Sequence, residues 1–436
     1  MRKYIPLIAI LIPALCLCAV VVFSLPPVHD RLAWRIDEAV LRLRYTLNPP
    51  ARQVFLPQEG QITPSAQAIA LSIATHTPQA PTSTATASGP TSTPEPSPTP
   101  TSTQPPLPPR VDLKGVVYED QHGRWNYCAP ANLAMALSFW GWQGNRDVVG
   151  PVLKPDEKDK NVMPYEMVDY IETQTDLKVF ERVGGDIDLV KRFLAAGYPV
   201  LVEKGTYLRD LTGVVSWMGH YQVITGYDEA NKQFTAQDSF IEPDHLVTYD
   251  EMIDGWRAFN YTYLVLFPAE KGAEVTTLLG SDADETANYQ NAALIASNEI
   301  YGLAGIDQYF AWFNRGTNLV KLQDFAGASA AFDEAFKVYP AIPESERPWR
   351  MLWYQTGPYF AYYYAQRYYD LLYLSDGTLN AMQGDKNLEE SYYWRGMARA
   401  ALGETASAIE DFQLSLKYHP GFPPALQQLQ VLGEQP

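Results

Sequence analysis

A thiol, an imidazole and a carboxylate stand in an order that could support nucleophilic catalysis. Cys128 lies in Cys128-Ala129-Pro130-Ala131 ahead of an apolar run, and it is the only cysteine beyond Cys16 and Cys18 of the N-terminal segment. At a helix N-terminus the unsatisfied backbone N–H groups and the positive end of the dipole favour a thiolate. Pro130 fits the first helical position, since it has no N–H to lose. A thiol nucleophile also needs a base, and a third group to orient that base. Residues 111–268 contain His122, His220 and His245. Of these, His220 opens the strand-like run Gly219-His220-Tyr221-Gln222-Val223-Ile224-Thr225-Gly226-Tyr227-Asp228, and Asp238 closes Phe234-Thr235-Ala236-Gln237-Asp238. The polar stretch 228–233 reads as a hairpin turn that brings His220 and Asp238 to one edge of a sheet. There the carboxylate would fix the imidazole tautomer and leave the other ring nitrogen for Cys128. Taken singly, each residue has a plainer reading: a buried structural thiol, a hydrogen-bonded strand histidine and a turn-capping aspartate. One cysteine and three scattered histidines have no metal-ligand spacing, so neither a metal nor another cofactor is expected.

The elements that must position these groups can be read from periodicity. Leu133, Ala136, Leu137 and Trp140 recur at helical spacing until Gly141 and Gly144, which gives Cys128 a rigid, buried support. Further helices are expected at 164–174 and 188–196, and a short buried strand at 198–203. Thr248 and Glu251 have the spacing of a capping box for a helix carrying Met252 and Trp256. Tyr261, Tyr263, Val265 and Phe267 alternate as a last strand. Residues 111–268 thus read as one α+β unit. The loops 156–162 and 206–218, with Lys154, Lys158, Lys160 and Trp217 in or near them, are where substrate specificity would be expected to lie.

Around this unit the chain changes character several times. Its net charge is −17, with a net positive N-terminal stretch and the acidity concentrated after residue 110, which disfavours nucleic acid as a partner. Residues 4–25 are apolar and uncharged behind Arg2 and Lys3, long enough to cross a bilayer, with no small-residue cleavage pattern at their end. Residues 1–28 are therefore expected to be a signal anchor holding the soluble part outside the cytoplasm in the cell membrane, or secreted if cleaved. In 29–60, Arg31, Arg35, Arg42 and Arg44 alternate with Leu32, Trp34, Ile36, Val40 and Leu43 as in an amphipathic juxtamembrane segment. Residues 61–110 are Pro-, Thr- and Ser-rich and nearly uncharged, the composition of a disordered stalk. An unpaired thiol in an oxidising compartment is a hazard unless it is used.

After a helical connector at 269–304, residues 305–436 are all-α. Trp312, Gly316, Leu319, Ala328, Phe332, Ala335 and Pro340 sit at the offsets of a repeat of about 34 residues, and Gly396, Leu402, Ala408, Phe412 and Pro420 return to the same frame. This resembles the tetratricopeptide repeat, which implies a concave surface for a protein or peptide partner. Tyr359, Tyr362, Tyr363, Tyr364, Tyr368 and Tyr369 crowd a degenerate middle pair, where packing between helices is the expectation.

With Gln121 upstream, the Cys-x-Pro-Ala helix start, the Gly-His-x-x-Val-x-x-Gly-Tyr-Asp strand and the order Cys, His, Asp, residues 113–268 resemble the papain-like cysteine peptidases of the bacteriocin-processing type. The resemblance implies a hydrolase acting on a protein or peptide. Cys128 would be the nucleophile, His220 the general base, Asp238 its orienting acid, and Gln121 an oxyanion-hole donor beside the Cys128 N–H. Ala129 stands where relatives usually have glycine, Ser239 where they often have proline, and Gln121 lies further upstream than is usual, with Asn126 as a nearer substitute. Two other readings stay open: a catalytically inactive peptidase-like scaffold serving the repeats, and a thioester-forming amidase or transferase. No Gly-rich Lys-Ser/Thr phosphate loop occurs, so a peptide-exporting ATPase is not implied.

Overall fold

The computed structural model describes residues 106–209, 215–382 and 384–434, together with isolated helical and exposed positions at Ile36, Ala39, Val40, Leu43 and Leu47. The expected signal anchor and most of the juxtamembrane segment and stalk lie outside the described residues. Among the described residues no helix is long and apolar enough to cross a membrane.

Strand β1 (Arg110–Asp112) leads through an irregular segment to helix α1 (Cys128–Phe139), followed by α2 (Arg146–Leu153), α3 (Pro164–Gln174), β2 (Leu177–Arg182) and α4 (Ile187–Ala195). The long antiparallel strands β3 (Val200–Arg209) and β4 (Val215–Asp228), then β5 (Gln233–Gln237), β6 (His245–Thr248), α5 (Tyr249–Arg257) and β7 (Tyr263–Pro268), complete the α+β unit. All pairings are antiparallel, in the order β2-β7-β3-β4-β5-β6, with β1 also on β4.

Alternation along the central strands supplies two cores. Val200, Val202, Ile224, Tyr263, Val265 and Phe267 pack with α4 and α5, whereas Leu201, Tyr221, Val223, Leu264 and Leu266 pack with α1, α2 and α3. The result is three layers with the sheet in the middle. Helix α1 is buried at every position from Ala129 to Leu137, apolar there except for Asn132, and acts as a fixed post under Cys128. The capping box of α5 forms as expected: the Thr248 hydroxyl oxygen accepts from the Glu251 N–H, and the Glu251 carboxylate accepts from the Thr248 N–H at 2.9 Å. Gly141 and Gly197, with φ of +85° and +90°, follow the ends of α1 and α4, where a side chain would be strained.

Helices α6 (Gly272–Leu279) and α7 (Glu285–Gly302) form the connector. Beyond it come α8 (Gly305–Lys321), α9 (Phe325–Val338), the short α10 (Met351–Tyr354), α11 (Gly357–Tyr364), α12 (Tyr368–Asn380), α13 (Glu389–Ala401), α14 (Thr405–Tyr418) and α15 (Pro423–Val431). The two well-formed pairs, α8 with α9 and α13 with α14, cross at equivalent glycines. A Cβ on Gly316 would come within 2.7 Å of Phe332, and one on Gly396 within 2.7 Å of Phe412. The tyrosine-rich pair divides: Tyr359 and Tyr362 are fully buried, while Tyr364 and Tyr369 are exposed.

Three local expectations need correction. The strand of 198–203 runs on to Arg209, and β4 begins at Val215, so His220 stands inside its strand instead of opening it. The ladder continues past His220 because Gly205 to Arg209 pair with Gly219 to Val215. Most of 206–218 is therefore strand and not loop. Trp217, which the sequence reading put in a specificity loop, is buried and stacks on Phe259, and Lys154 is buried as well.

The helical region is not an appendage. Trp217, Ala258 and Phe259 of the α+β unit share one apolar cluster with Tyr309, Phe310, Phe313 and Phe332. Polar ties reinforce that seam: Asn260 and Asn318 exchange side-chain hydrogen bonds at 2.7 and 3.1 Å, the Asn314 amide donates to the Arg257 carbonyl at 2.8 Å, and the Gln355 amide donates to the Ala258 carbonyl at 2.6 Å.

Candidate active site

Cys128 is the first residue of α1 and is partly exposed, while Ala129 and Pro130 behind it are buried; the helix starts two residues before Pro130, which is its third residue and not its first as expected. Its N–H belongs to the first turn of the helix, where amides lack an intrahelical acceptor. Ala129, the departure from glycine, contributes its methyl to the core with Leu133 and Met135.

His220 comes from the middle of β4 and is 2 % exposed. Its Nε2 is 2.8 Å from Oδ1 of Asp238, just past the end of β5, and its side chain also interacts with that of Cys128, which favours the imidazolium. With Nε2 held by the carboxylate, Nδ1 is the nitrogen left for sulfur. The three predicted residues are thus brought together as thiol, imidazole and carboxylate. Burial works against the imidazolium, but the Asp238 carboxylate and the hydrogen bond to it outweigh that cost, and Cys128 adds to them. The His220 pKa is raised from 6.5 to about 9. For Asp238 the sign is reversed: burial alone would raise its pKa, yet the His220 charge and its hydrogen-bond donors hold it well below the usual carboxylate range. Those donors are the Gln222 side-chain amide and the backbone N–H groups of Phe240 at 2.8 Å and Ile241 at 3.1 Å. A carboxylate so saturated with donors remains an anion and cannot act as the acid.

Gln121 reaches the site through Ser239. The Ser239 hydroxyl donates to Oε1 of Gln121 at 2.7 Å and accepts from Nδ2 of Asn132 at 2.8 Å, and the same amide donates to the Cys128 carbonyl at 2.9 Å. A backbone bond from the Gln121 N–H to the Ser239 carbonyl fixes the approach. Because Oε1 is occupied, the Nε2 donors of Gln121 remain unpaired among the described residues. Asn126, the substitute donor considered from spacing, gives its amide to the Asp159 carbonyl at 2.8 Å and is committed there.

Sequence reasoning missed Asn132, Gln222, Ser239 and Tyr354. Asn132 is the one polar residue on the buried stretch of α1, four residues after Cys128, and Gln222 is two along the strand from His220. Both offsets carry a legible signal. Tyr354 had none. It enters from the helical region, lies against Gly219, and packs on Trp217 and Phe259 with ring centroids 5.9 and 5.8 Å away. Burial, with the nearby Cys128 charge, pushes its pKa up to about 12.

The other histidines of the unit lie apart. His122 bonds exposed Asp120 at 2.6 Å, and His245 faces Glu242 at 3.7 Å.

Residues 113–264 match the Peptidase_C39 like family. This stretch carries a cysteine peptidase fold, α+β with an antiparallel sheet, and the helical region follows it. Among solved structures, a C39-like peptidase from Bacillus anthracis is 16% identical, with 36% of this chain and 97% of that one covered at a TM-score of 0.30. Xylellain, a cysteine protease from Xylella fastidiosa, is 18% identical, with 37% and 86% covered at a TM-score of 0.29. No curated protein matches the chain.

Proposed function

We propose that the chain is a cysteine peptidase that hydrolyses peptide bonds through Cys128, His220 and Asp238. The observation that carries this reading is that Cys128, at a helix N-terminus, interacts with buried His220, which is hydrogen-bonded to a carboxylate held ionised by four donors.

In the reaction, the Cys128 thiolate attacks the scissile carbonyl carbon and the carbonyl oxygen takes the negative charge. The Cys128 N–H and the free amide of Gln121 are the donors suited to that oxygen. Collapse of the intermediate breaks the C–N bond. His220 gives its proton to the leaving amine, and a thioester forms. His220 then takes a proton from water, whose oxygen attacks the thioester carbon and releases the acid and the thiolate. Asp238 keeps its charge throughout and holds the imidazole in one tautomer.

The direct test uses the full chain and a peptide carrying a thiol-reactive electrophile. Labelling is expected at Cys128 and is expected to vanish in Cys128→Ala. Undiminished labelling of that variant would dispose of the proposal.

A pH profile gives a second test. The imidazolium partner of the thiolate persists until the medium approaches pH 9, so kcat/KM is expected to hold through neutrality and fall as pH rises through about 9. Stability should follow the same group. Because the folded pKa exceeds the unfolded value of 6.5, the contribution of His220 is complete below about pH 6.5 and is lost as pH rises through about 9. The depressed Asp238 works at the other end, its contribution present above its ordinary value of 3.8 and lost as pH falls. Thermal unfolding of the wild type and His220→Gln between pH 6 and 10 would measure this. Equal pH slopes for the two proteins would contradict the assignment.

We further propose that the N-terminal segment tethers the enzyme to the cell membrane with its soluble part outside the cytoplasm. The tetratricopeptide-like helices would bind a protein or peptide partner. The apolar run behind Arg2 and Lys3 and the repeated glycine–phenylalanine crossings support these two readings.

A further inference from the structure

A second cluster of chemistry-bearing side chains lies where the α+β unit meets α13 and α14. Asp159, from the segment between α2 and α3, Glu389, at the start of α13, and His419, just past α14, each offer one ligand atom, and these atoms lie within 4.8 Å of one another. His419 Nδ1 is 3.2 Å from Oε1 of Glu389 and 3.9 Å from Oε1 of Glu166. Two ligands about 2 Å from a tetrahedral zinc ion are about 3.3 Å apart, close to the first of these separations.

An independent observation points to a missing cation. Asp159 is 2 % exposed, and its Oδ2, among the clustered ligand groups, has no hydrogen-bond partner. Glu389 and Glu390 are buried beside it, and Glu166 is nearly so. None of these four carboxylates forms a salt bridge to Lys or Arg among the described residues. The two buried lysines nearby use their ammonium groups on backbone carbonyls: Lys154 on those of Trp125 and Asn126, Lys160 on that of Lys158. Both ammonium groups still act on Asp159, but four buried or nearly buried carboxylates against two lysines leave an excess of negative charge, and coordination of a cation is one of the few ways to relieve that cost.

We propose that Asp159, Glu389 and His419, with Glu166 as the available fourth ligand, bind one divalent cation of the zinc type. One imidazole nitrogen with carboxylate oxygens is a donor set that suits zinc, whereas calcium prefers six or more oxygens. The ion would clamp the segment 154–163 to the helical region. That segment leads directly to the nucleophile, since the Asp159 carbonyl receives the amide of Asn126, two residues before Cys128. Asn387 already ties the same segment to the helical region through Oδ2 of Asp156 at 2.6 Å. The ligands come from residues 159, 389 and 419, so no spacing in the sequence announces them.

The test uses the full chain in a Cys128→Ala background, which removes the catalytic thiol as a competing zinc ligand. Chelator-stripped protein is titrated with Zn²⁺ and, separately, with Co²⁺. Expected are one Zn²⁺ taken up at this site, a visible Co²⁺ absorption band, and a Zn²⁺-dependent rise in Tm. His419→Ala and Glu389→Gln should each weaken uptake at least about tenfold and abolish the rise in Tm. The stripped parent protein, shown to be folded by circular dichroism, decides the matter even if a variant fails to fold. No uptake by that protein, uptake unchanged in both variants, or binding of Ca²⁺ in preference to Zn²⁺ would each overturn the assignment.

Discussion

Asp238→Asn is expected to reduce the rate at which Cys128 is acylated by a peptide substrate by about 10⁴-fold, the scale of removing the orienting carboxylate from a triad. The reason is local. The carboxylate accepts from His220 Nε2, the Gln222 amide and two backbone N–H groups, so it can accommodate an acceptor and nothing else. An asparagine there sets its own NH₂ against one of those donors, and the imidazole loses the charge that raises its pKa. The same change breaks a fully buried charge pair, which costs about 3–5 kcal/mol of stability. Acylation and thermal unfolding should therefore fall together. Alkylation of Cys128 by iodoacetamide near pH 6 isolates the chemical part, because a thiolate–imidazolium pair reacts there and an unpaired thiol hardly does. An Asp238→Asn protein that acylates within tenfold of the wild type would show that the carboxylate is structural.

Removing residues 305–436 is expected to leave the α+β unit unable to hold its fold. The truncation strips cover from Trp217, Ala258 and Phe259, all at most 2 % exposed. It also takes away Tyr354, which packs on Gly219 next to His220. Uncovering a large apolar side chain costs about 1.5–3 kcal/mol, and two of them are comparable to the whole margin of a small domain. Arg257 would lose Asp307, which lies 3.0 Å away. Lower Tm and aggregation of the fragment 106–304 are the expected results. A fragment that melts within a few degrees of the full chain would mean that the seam is a docking contact between independent domains. Trp217→Ala in the full chain is the milder probe, with a loss of about 3–5 kcal/mol for a truncated core aromatic.

The seam also changes how the site is understood. The strand that carries His220 is flanked by β3 on one edge and β5 on the other, and is covered near Gly219 by a tyrosine from α10. An apolar cluster common to both regions makes the position of His220 depend on the helices.

Much of the site could be read from the chain by itself because its determinants are local. A proline in the first turn after Cys128, an apolar run at helical spacing, a hairpin turn at 228–233 and the Thr248–Glu251 capping box each act within a few residues, and each set the element it was expected to set. Asp238 comes beside His220 because a short hairpin leaves little freedom of register, even with the irregularity between Ile224 and Gly226. Only the tertiary structure could decide what depends on side chains meeting across long separations. Strand β4 extends to Val215 because its outer residues find a ladder partner and a helical wall. Ser239 joins Gln121 to Asn132, Tyr354 arrives from more than a hundred residues away, and Asp159 meets Glu389 and His419. Periodicity fixes which face of an element is apolar, but not which distant element covers it, and that choice rests on the complementarity of surfaces that exist only once the chain has folded.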